Sequence, residues 1–140
     1  MDTYQVEVRV RFRAGHRLIE PYKGPCNNPH GEGYTAICIF ETDKLDECGM
    51  LVDFGKVKKK IKTWIDYNWD HSYICHSKDY IGEYLKQKGF RVFEMSSNPT
   101  AENIAKLLYG IIKKFGLPIK KVGIIESFED SIGWYEDANL

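Results

Sequence analysis

Two short segments carry the side chains best suited to chemistry. Phe12-Arg-Ala-Gly-His16 ends on an imidazole, and Cys26-Asn-Asn-Pro-His30-Gly-Glu32-Gly-Tyr34 adds a thiol, a second imidazole and a carboxylate. Imidazole and carboxylate are the usual ligands of a catalytic divalent metal, and an open zinc site needs only three from the protein. His30 and Glu32 stand two apart in sequence. On an extended chain such residues point the same way, so both can reach one ion. With His16 they make a two-histidine, one-carboxylate set that suits zinc and also iron. The competing reading makes His16 a structural residue at a strand end and leaves Glu32 on the surface of a glycine loop. Cys26, in a Gly/Pro-rich turn just before His30, is a candidate nucleophile or base.

Asp70-His71 forms a further pair. In a loop Asp70 can orient or charge His71, and an oriented imidazole is the commonest general acid or base. His76 has no such partner and reads as structural or exposed. Glu126 lies among Val122, Ile124, Ile125 and Phe128. A carboxylate in that company is paired, turned outward or bound to a ligand. A planar group with adjacent donors would engage it bidentately, and an outward-facing glutamate accounts for it equally well.

The elements that must position these groups follow from periodicity. Tyr4 to Phe12 alternates Val6, Val8, Val10 and Phe12 with charged residues, which predicts a half-buried antiparallel strand. Tyr34 to Thr42, rich in β-branched and aromatic residues, predicts a second. The stretch Ile19 to Gly33 between them holds three prolines and three glycines and reads as an irregular, functional connection. Met50 to Phe54 closes the hairpin. Asp53 caps a helix with Phe54, Val57, Ile61, Trp64 and Ile65 at three- and four-residue spacing, and Lys58, Lys59, Lys60 and Lys62 form its solvated face.

Asp79 to Lys88 predicts a short helix and Phe90 to Met95 a strand. A second main helix has Asn98 as its cap, Pro99 at its first position and Glu102 in its first turn. Ala101, Ile104, Ala105, Leu107, Leu108, Ile111, Ile112 and Phe115 form its buried stripe, and Gly116 and Pro118 end it. Strands over Lys121 to Phe128 and Ile132 to Tyr135 complete an α+β order.

Composition fits one domain over residues 1–140. Hydrophobic residues are 43% and charged residues 29% of the chain, ordinary globular values. Net charge is zero, so no global field steers the protein toward nucleic acid. No apolar run approaches the ~18 residues of a membrane span, and the first residues do not form a signal peptide. Four cysteines without CxxC spacing read as reduced thiols in a cytoplasmic protein.

Taken in order, FRAGH (Phe12 to His16), CNNPHGEGY (Cys26 to Tyr34), GMLVDF (Gly49 to Phe54), WDHSY (Trp69 to Tyr73), NPTAENIA (Asn98 to Ala105) and IIESFED (Ile124 to Asp130) resemble the 6-pyruvoyl-tetrahydropterin synthase / 6-carboxytetrahydropterin synthase family. The resemblance implies the tunnelling fold, an antiparallel four-stranded sheet with two helices on one face. In that fold subunit sheets join into trimeric barrels, two trimers stack into a homohexamer, and active sites lie between subunits. It implies a metal-dependent lyase that converts 7,8-dihydroneopterin triphosphate to 6-carboxy-5,6,7,8-tetrahydropterin in 7-deazaguanine (queuosine) biosynthesis. A 6-pyruvoyl product, a side-chain aldolase and a non-catalytic pterin-binding oligomer are the alternatives on the same scaffold.

By the same resemblance His16 and His30 hold one zinc per subunit, and Cys26 transfers protons. Asp70 and His71 form a relay dyad, Glu126 anchors the pterin's amino-pyrimidine edge, and Thr100 and Glu102 lie near the pterin. The family's usual His-Gly-His reads His30-Gly31-Glu32 here. Carboxylate oxygen can replace imidazole on zinc at similar distance, which puts Glu32 in the third ligand position. Its negative charge lowers the net charge on the metal and weakens polarisation of bound hydroxyls, and it brings iron into consideration beside zinc.

Overall fold

Residues 4–42 fold as one long hairpin. β1 (Tyr4–His16) and β2 (His30–Thr42) pair antiparallel in unbroken register, from Tyr4 opposite Thr42 to His16 opposite His30. The structure is a computed structural model and describes residues 2–138. Period two places Val8, Val10, Phe12 and Ala14 on the buried face with Tyr34, Ala36, Cys38 and Phe40, and sends Glu7, Arg9, Arg11 and Arg13 to the other. Both strands run further than their residue types predict. Residues 13–16 ladder onto residues 30–33, so His16, His30 and Glu32 are all strand residues.

The α+β class holds, with two corrections. The sheet has six strands where four were expected, in the order β4-β3-β1-β2-β5-β6. Beside the hairpin lie β3 (Ser72–His76), β4 (Val92–Met95), β5 (Ile119–Glu126) and β6 (Ile132–Glu136), of which only β3 has no counterpart in the sequence reading. It is also mixed, because β3 runs parallel to both β1 and β4. β3 escapes sequence reading because four of its five residues are buried, which erases any alternation. Parallel neighbours need a crossover, and α2 (Tyr80–Gln87) supplies it between β3 and β4.

Two helices cover the buried face, as expected. α1 (Phe54–Asn68) buries Val57, Ile61 and Ile65, and α3 (Ala101–Lys114) buries Ile104, Ala105, Leu108 and Ile112, all in one core with Phe12 and Tyr34. Burying each such side chain contributes about 1.5–3 kcal/mol. Asp53 caps α1 by accepting from the Lys56 amide, and Lys58, Lys59, Lys60 and Lys62 stand exposed. The third helix, α2, packs on the reverse face, where its Gly82 sits so close to Cys75 Sγ that a Cβ would collide. Ile37, Ile39 and Ile125 form a small second cluster on that reverse face. No helix of the described residues is long and apolar enough to cross a membrane.

The cap of α3 differs from expectation. Thr100, not Asn98, accepts from the Asn103 amide. Asn98 is occupied elsewhere: its carbonyl oxygen accepts from the Ile19 amide at 2.9 Å and its Nδ2 donates to the Ile19 carbonyl at 3.0 Å. That exchange ties the β1–β2 connection to the start of α3. Pro99 therefore precedes the helix.

Candidate active site

The open end of the hairpin assembles the ligand set. His16 and His30 are directly opposed on β1 and β2, and Glu32 lies two residues on, so all three project to the helix-covered face. The His16 and His30 ring centroids are 4.5 Å apart. Glu32 Oε2 lies 3.4 Å from His16 Nε2 and 3.2 Å from His30 Nε2. All three ligand atoms fall within 4.8 Å of one another.

Backbone carbonyls fix which nitrogens face inward. His16 Nδ1 donates to the Pro99 carbonyl at 2.9 Å, and His30 Nδ1 to the Asn28 carbonyl at 2.7 Å. A carbonyl only accepts, so each Nδ1 carries a proton and each ring turns its Nε2 toward Glu32. Burial pushes the His16 pKa below its ordinary value, against the opposing pull of the Pro99 bond and Glu32, and keeps that ring neutral. When both rings are neutral, two nitrogen lone pairs and a carboxylate oxygen converge with no donor between them. A divalent cation satisfies such a set, so these residues fit the metal the sequence suggests.

Sequence reading missed the group that aims Glu32. Ser127, just past β5, holds a left-handed φ of 51° and donates its hydroxyl to Glu32 Oε1, while its amide donates to the Gly33 carbonyl at 2.8 Å. Oε1 is thereby engaged and Oε2 is left to the histidines. Burial would raise the Glu32 pKa, but the Ser127 bond, joined by His16 and His30 whenever those rings carry charge, outweighs burial and lowers it. Nothing in the residue types around Ser127 marks it, because its role comes from a sheet contact 95 positions away.

Cys26 is half-buried in a 3-10 turn, Pro25–Asn27, within the connection that follows His16. Its carbonyl accepts from Leu18 and its amide donates to the Tyr22 hydroxyl. Arg17, beside His16, reaches from a buried pairing with Asp79 toward the Asn27 carbonyl, 3.4 Å away.

Asp70 and His71 do form a dyad. Asp70 Oδ2 lies 2.8 Å from His71 Nδ1 and its Oδ1 accepts from the Arg13 amide at 2.9 Å. Burial raises the Asp70 pKa, but these two bonds more than offset it, so the carboxylate lies below its usual range. His71 adopts φ 56° and its side chain is 75% exposed. The dyad lines a cavity of about 670 Å³ with Arg11, Arg13, Thr35 and Tyr34. Within one chain the structure brings together the metal-type triad and, separately, this dyad; among the described residues no contact joins His71 to Cys26.

Glu126 ends β5 opposite Tyr34 and lines a cavity of about 430 Å³ with Glu102, Ala101 and Gly133. Burial first, then the charge of Glu32, pushes the Glu126 carboxyl up to about 7. Thr100 caps α3 with its hydroxyl, and Glu102 stands in the first turn of that helix, facing the same cavity. The neighbouring Tyr34 hydroxyl is buried, and burial raises its pKa above the usual phenol value, so it remains protonated.

Known proteins resemble this chain in sequence and fold. The family model described as 6-pyruvoyl tetrahydropterin synthase matches residues 5–137. A 6-carboxy-5,6,7,8-tetrahydropterin synthase of Rickettsia conorii is 42% identical over 99 residues, spanning 69% of this chain and 71% of that protein. Among solved structures, the 6-pyruvoyl tetrahydropterin synthase of Caenorhabditis elegans superposes with a TM-score of 0.72 over 99% of this chain and 98% of that one, at 25% identity. An uncharacterized protein of Wolinella succinogenes reaches a TM-score of 0.80 over 98% and 99% of the two chains at 20% identity, a likeness of fold alone.

Proposed function

We propose a specific activity for this chain, which belongs to the 6-pyruvoyl tetrahydropterin synthase family of enzymes. It is a metal-dependent lyase that converts 7,8-dihydroneopterin triphosphate to 6-carboxy-5,6,7,8-tetrahydropterin, a step toward 7-deazaguanine (queuosine) nucleosides. The observation that carries the reading is the convergence of His16 Nε2, His30 Nε2 and Glu32 Oε2 on one point, beside a cavity with Glu126 and Glu102 on its wall. The name of the Rickettsia relative favours the 6-carboxy product over the 6-pyruvoyl one.

In this reading His16, His30 and Glu32 hold one zinc, or iron, and the bound metal supplies Lewis-acid polarisation of the substrate's side-chain oxygens. Glu126 accepts the amino-pyrimidine edge through paired hydrogen bonds, with Thr100 and Glu102 close to the ring. Cys26 takes a proton from a side-chain carbon, and the Asp70–His71 pair returns one. The exposure of His71 suits a dyad that completes the site of a neighbouring subunit. The working enzyme is then a cytoplasmic homohexamer of two trimers. The sheet edges β4 and β6, each paired on one side only among the described residues, are suited to joining such barrels.

The test is product analysis after incubation with 7,8-dihydroneopterin triphosphate, with and without a chelator. Formation of 6-carboxytetrahydropterin, lost on chelation and regained with zinc or ferrous iron, is the expected result. Unchanged substrate in the metal-loaded protein would overturn the assignment.

A further inference from the structure

One buried donor in this site has no use within the chain. Tyr34 is 1% exposed, and its hydroxyl finds no hydrogen-bond partner among the described residues. Unpaired buried hydroxyls destabilise a fold, are uncommon in native structures and call for an explanation. Trp69 Nε1 is also unpaired, but its indole sits in a cluster of rings from Trp64, Phe93 and Phe12. Tyr34 has different company. Its ring stacks on Phe12, with centroids 4.9 Å apart, and stands edge-on to His16 at 5.7 Å. Its strand partner is Glu126, and Glu32 and Cys26 lie near enough to act electrostatically on its oxygen. Tyr34 itself lines the cavity of the Asp70–His71 pair, and its hydroxyl, within electrostatic reach of Glu126, has no partner among the described residues.

We propose that the Tyr34 hydroxyl is a substrate-binding donor, which meets an acceptor oxygen or nitrogen of the pterin ring beside the edge held by Glu126. The inference rests on the reading of Glu126 as the pterin anchor. A heterocycle whose N–H edge meets a carboxylate carries ring acceptors a bond or two away, so a carboxylate and a phenol side by side match its alternating edge.

Tyr34→Phe removes one oxygen and keeps the ring packing, and neopterin serves as a stable, unreacting probe. The variant should bind neopterin about three- to tenfold more weakly, the effect of one neutral hydrogen bond. Its Tm should be equal to or above wild type, because the unpaired hydroxyl is gone. Wild-type affinity in Tyr34→Phe overturns the inference. A lower Tm accompanying the weaker binding also overturns it, since the hydroxyl would then be holding the fold. Glu126→Gln, measured in parallel, separates the two readings. If it too binds neopterin as wild type does, the pterin-site assignment falls and the Tyr34 inference with it. If it binds weakly while Tyr34→Phe does not, only the Tyr34 inference falls.

Discussion

Arg17 and Asp79 form a buried ion pair directly behind the histidine pair. Arg17 Nε lies 3.0 Å and Nη2 2.9 Å from Asp79 Oδ1, and both residues are under a tenth exposed. Asp79 also accepts from the Tyr73 hydroxyl at 2.8 Å and caps α2 through the Ile81 amide at 3.0 Å. One carboxylate thus joins β3, α2 and the chain leaving His16. Asp79→Ala should cost about 3–5 kcal/mol in denaturant unfolding, because it strands a buried guanidinium. An apolar pair at both positions should cost less than that single change. A wild-type midpoint for Asp79→Ala would refute this account.

Cys26→Ala should keep metal content and pterin affinity while turnover falls about 10²–10⁴-fold, the usual contribution of a positioned proton-transfer group. His71→Ala should fall similarly. If the dyad serves a neighbouring copy, mixing and reassembling the two inactive variants restores part of the activity, since some sites then combine an intact Cys26 with an intact His71. No recovery in reassembled mixed oligomers would place both groups in one chain's site.

Glu126→Gln keeps the shape of the side chain and removes its charge. Hydrogen bonds to charged groups contribute about 1.5–3 kcal/mol, so pterin affinity should drop by about ten- to a hundredfold with little change in metal binding. Fluorescence titration with neopterin and metal analysis of the same samples measure the two effects separately.

The buried thiols give a pH dependence. Burial pushes Cys38 and Cys75 up to about 12 from an ordinary value near 9. The unfolded chain loses these thiol protons above about 9 while the native protein keeps them, so the unfolded state binds fewer protons there. Their contribution to stability is complete below that value and is lost as pH rises toward 12. Alkaline unfolding should therefore begin later in the Cys38→Ala, Cys75→Ala double variant, relative to its own neutral-pH stability. At pH 8 an alkylating agent should label exposed Cys48 and leave Cys38 and Cys75 untouched until the chain unfolds.

Much of this was legible because period carries face. The alternation from Val6 to Phe12 and the three- and four-residue spacing in α1 and α3 fix which residues share a core, and the spacing of His30 and Glu32 fixes that they share a side. What escaped depends on contacts between distant segments. β3 has no alternation to read, and Asn98 spends its amide on Ile19, 79 positions away. Ser127 and the carbonyls of Pro99 and Asn28 act on the ligands through tertiary geometry that no local pattern encodes. The family resemblance joins Cys26 and His71 in a site between subunits, and among the described residues of one chain no contact joins them.

The histidines and Glu32 are held by strand register, by two carbonyls and by Ser127, all of them contacts supplied by the chain itself. Such a frame makes folding that does not depend on the ion the expected outcome, unlike a zinc finger, whose chain orders around its ion. A frame already built offers the same three atoms to each divalent ion that enters. Intrinsic preference in such a nitrogen and oxygen set rises from manganese through iron to copper and falls back at zinc, so occupancy follows which ion the cell keeps available. The protein can thus be purified folded but mismetallated, and its measured rate reports the history of the sample as much as its residues.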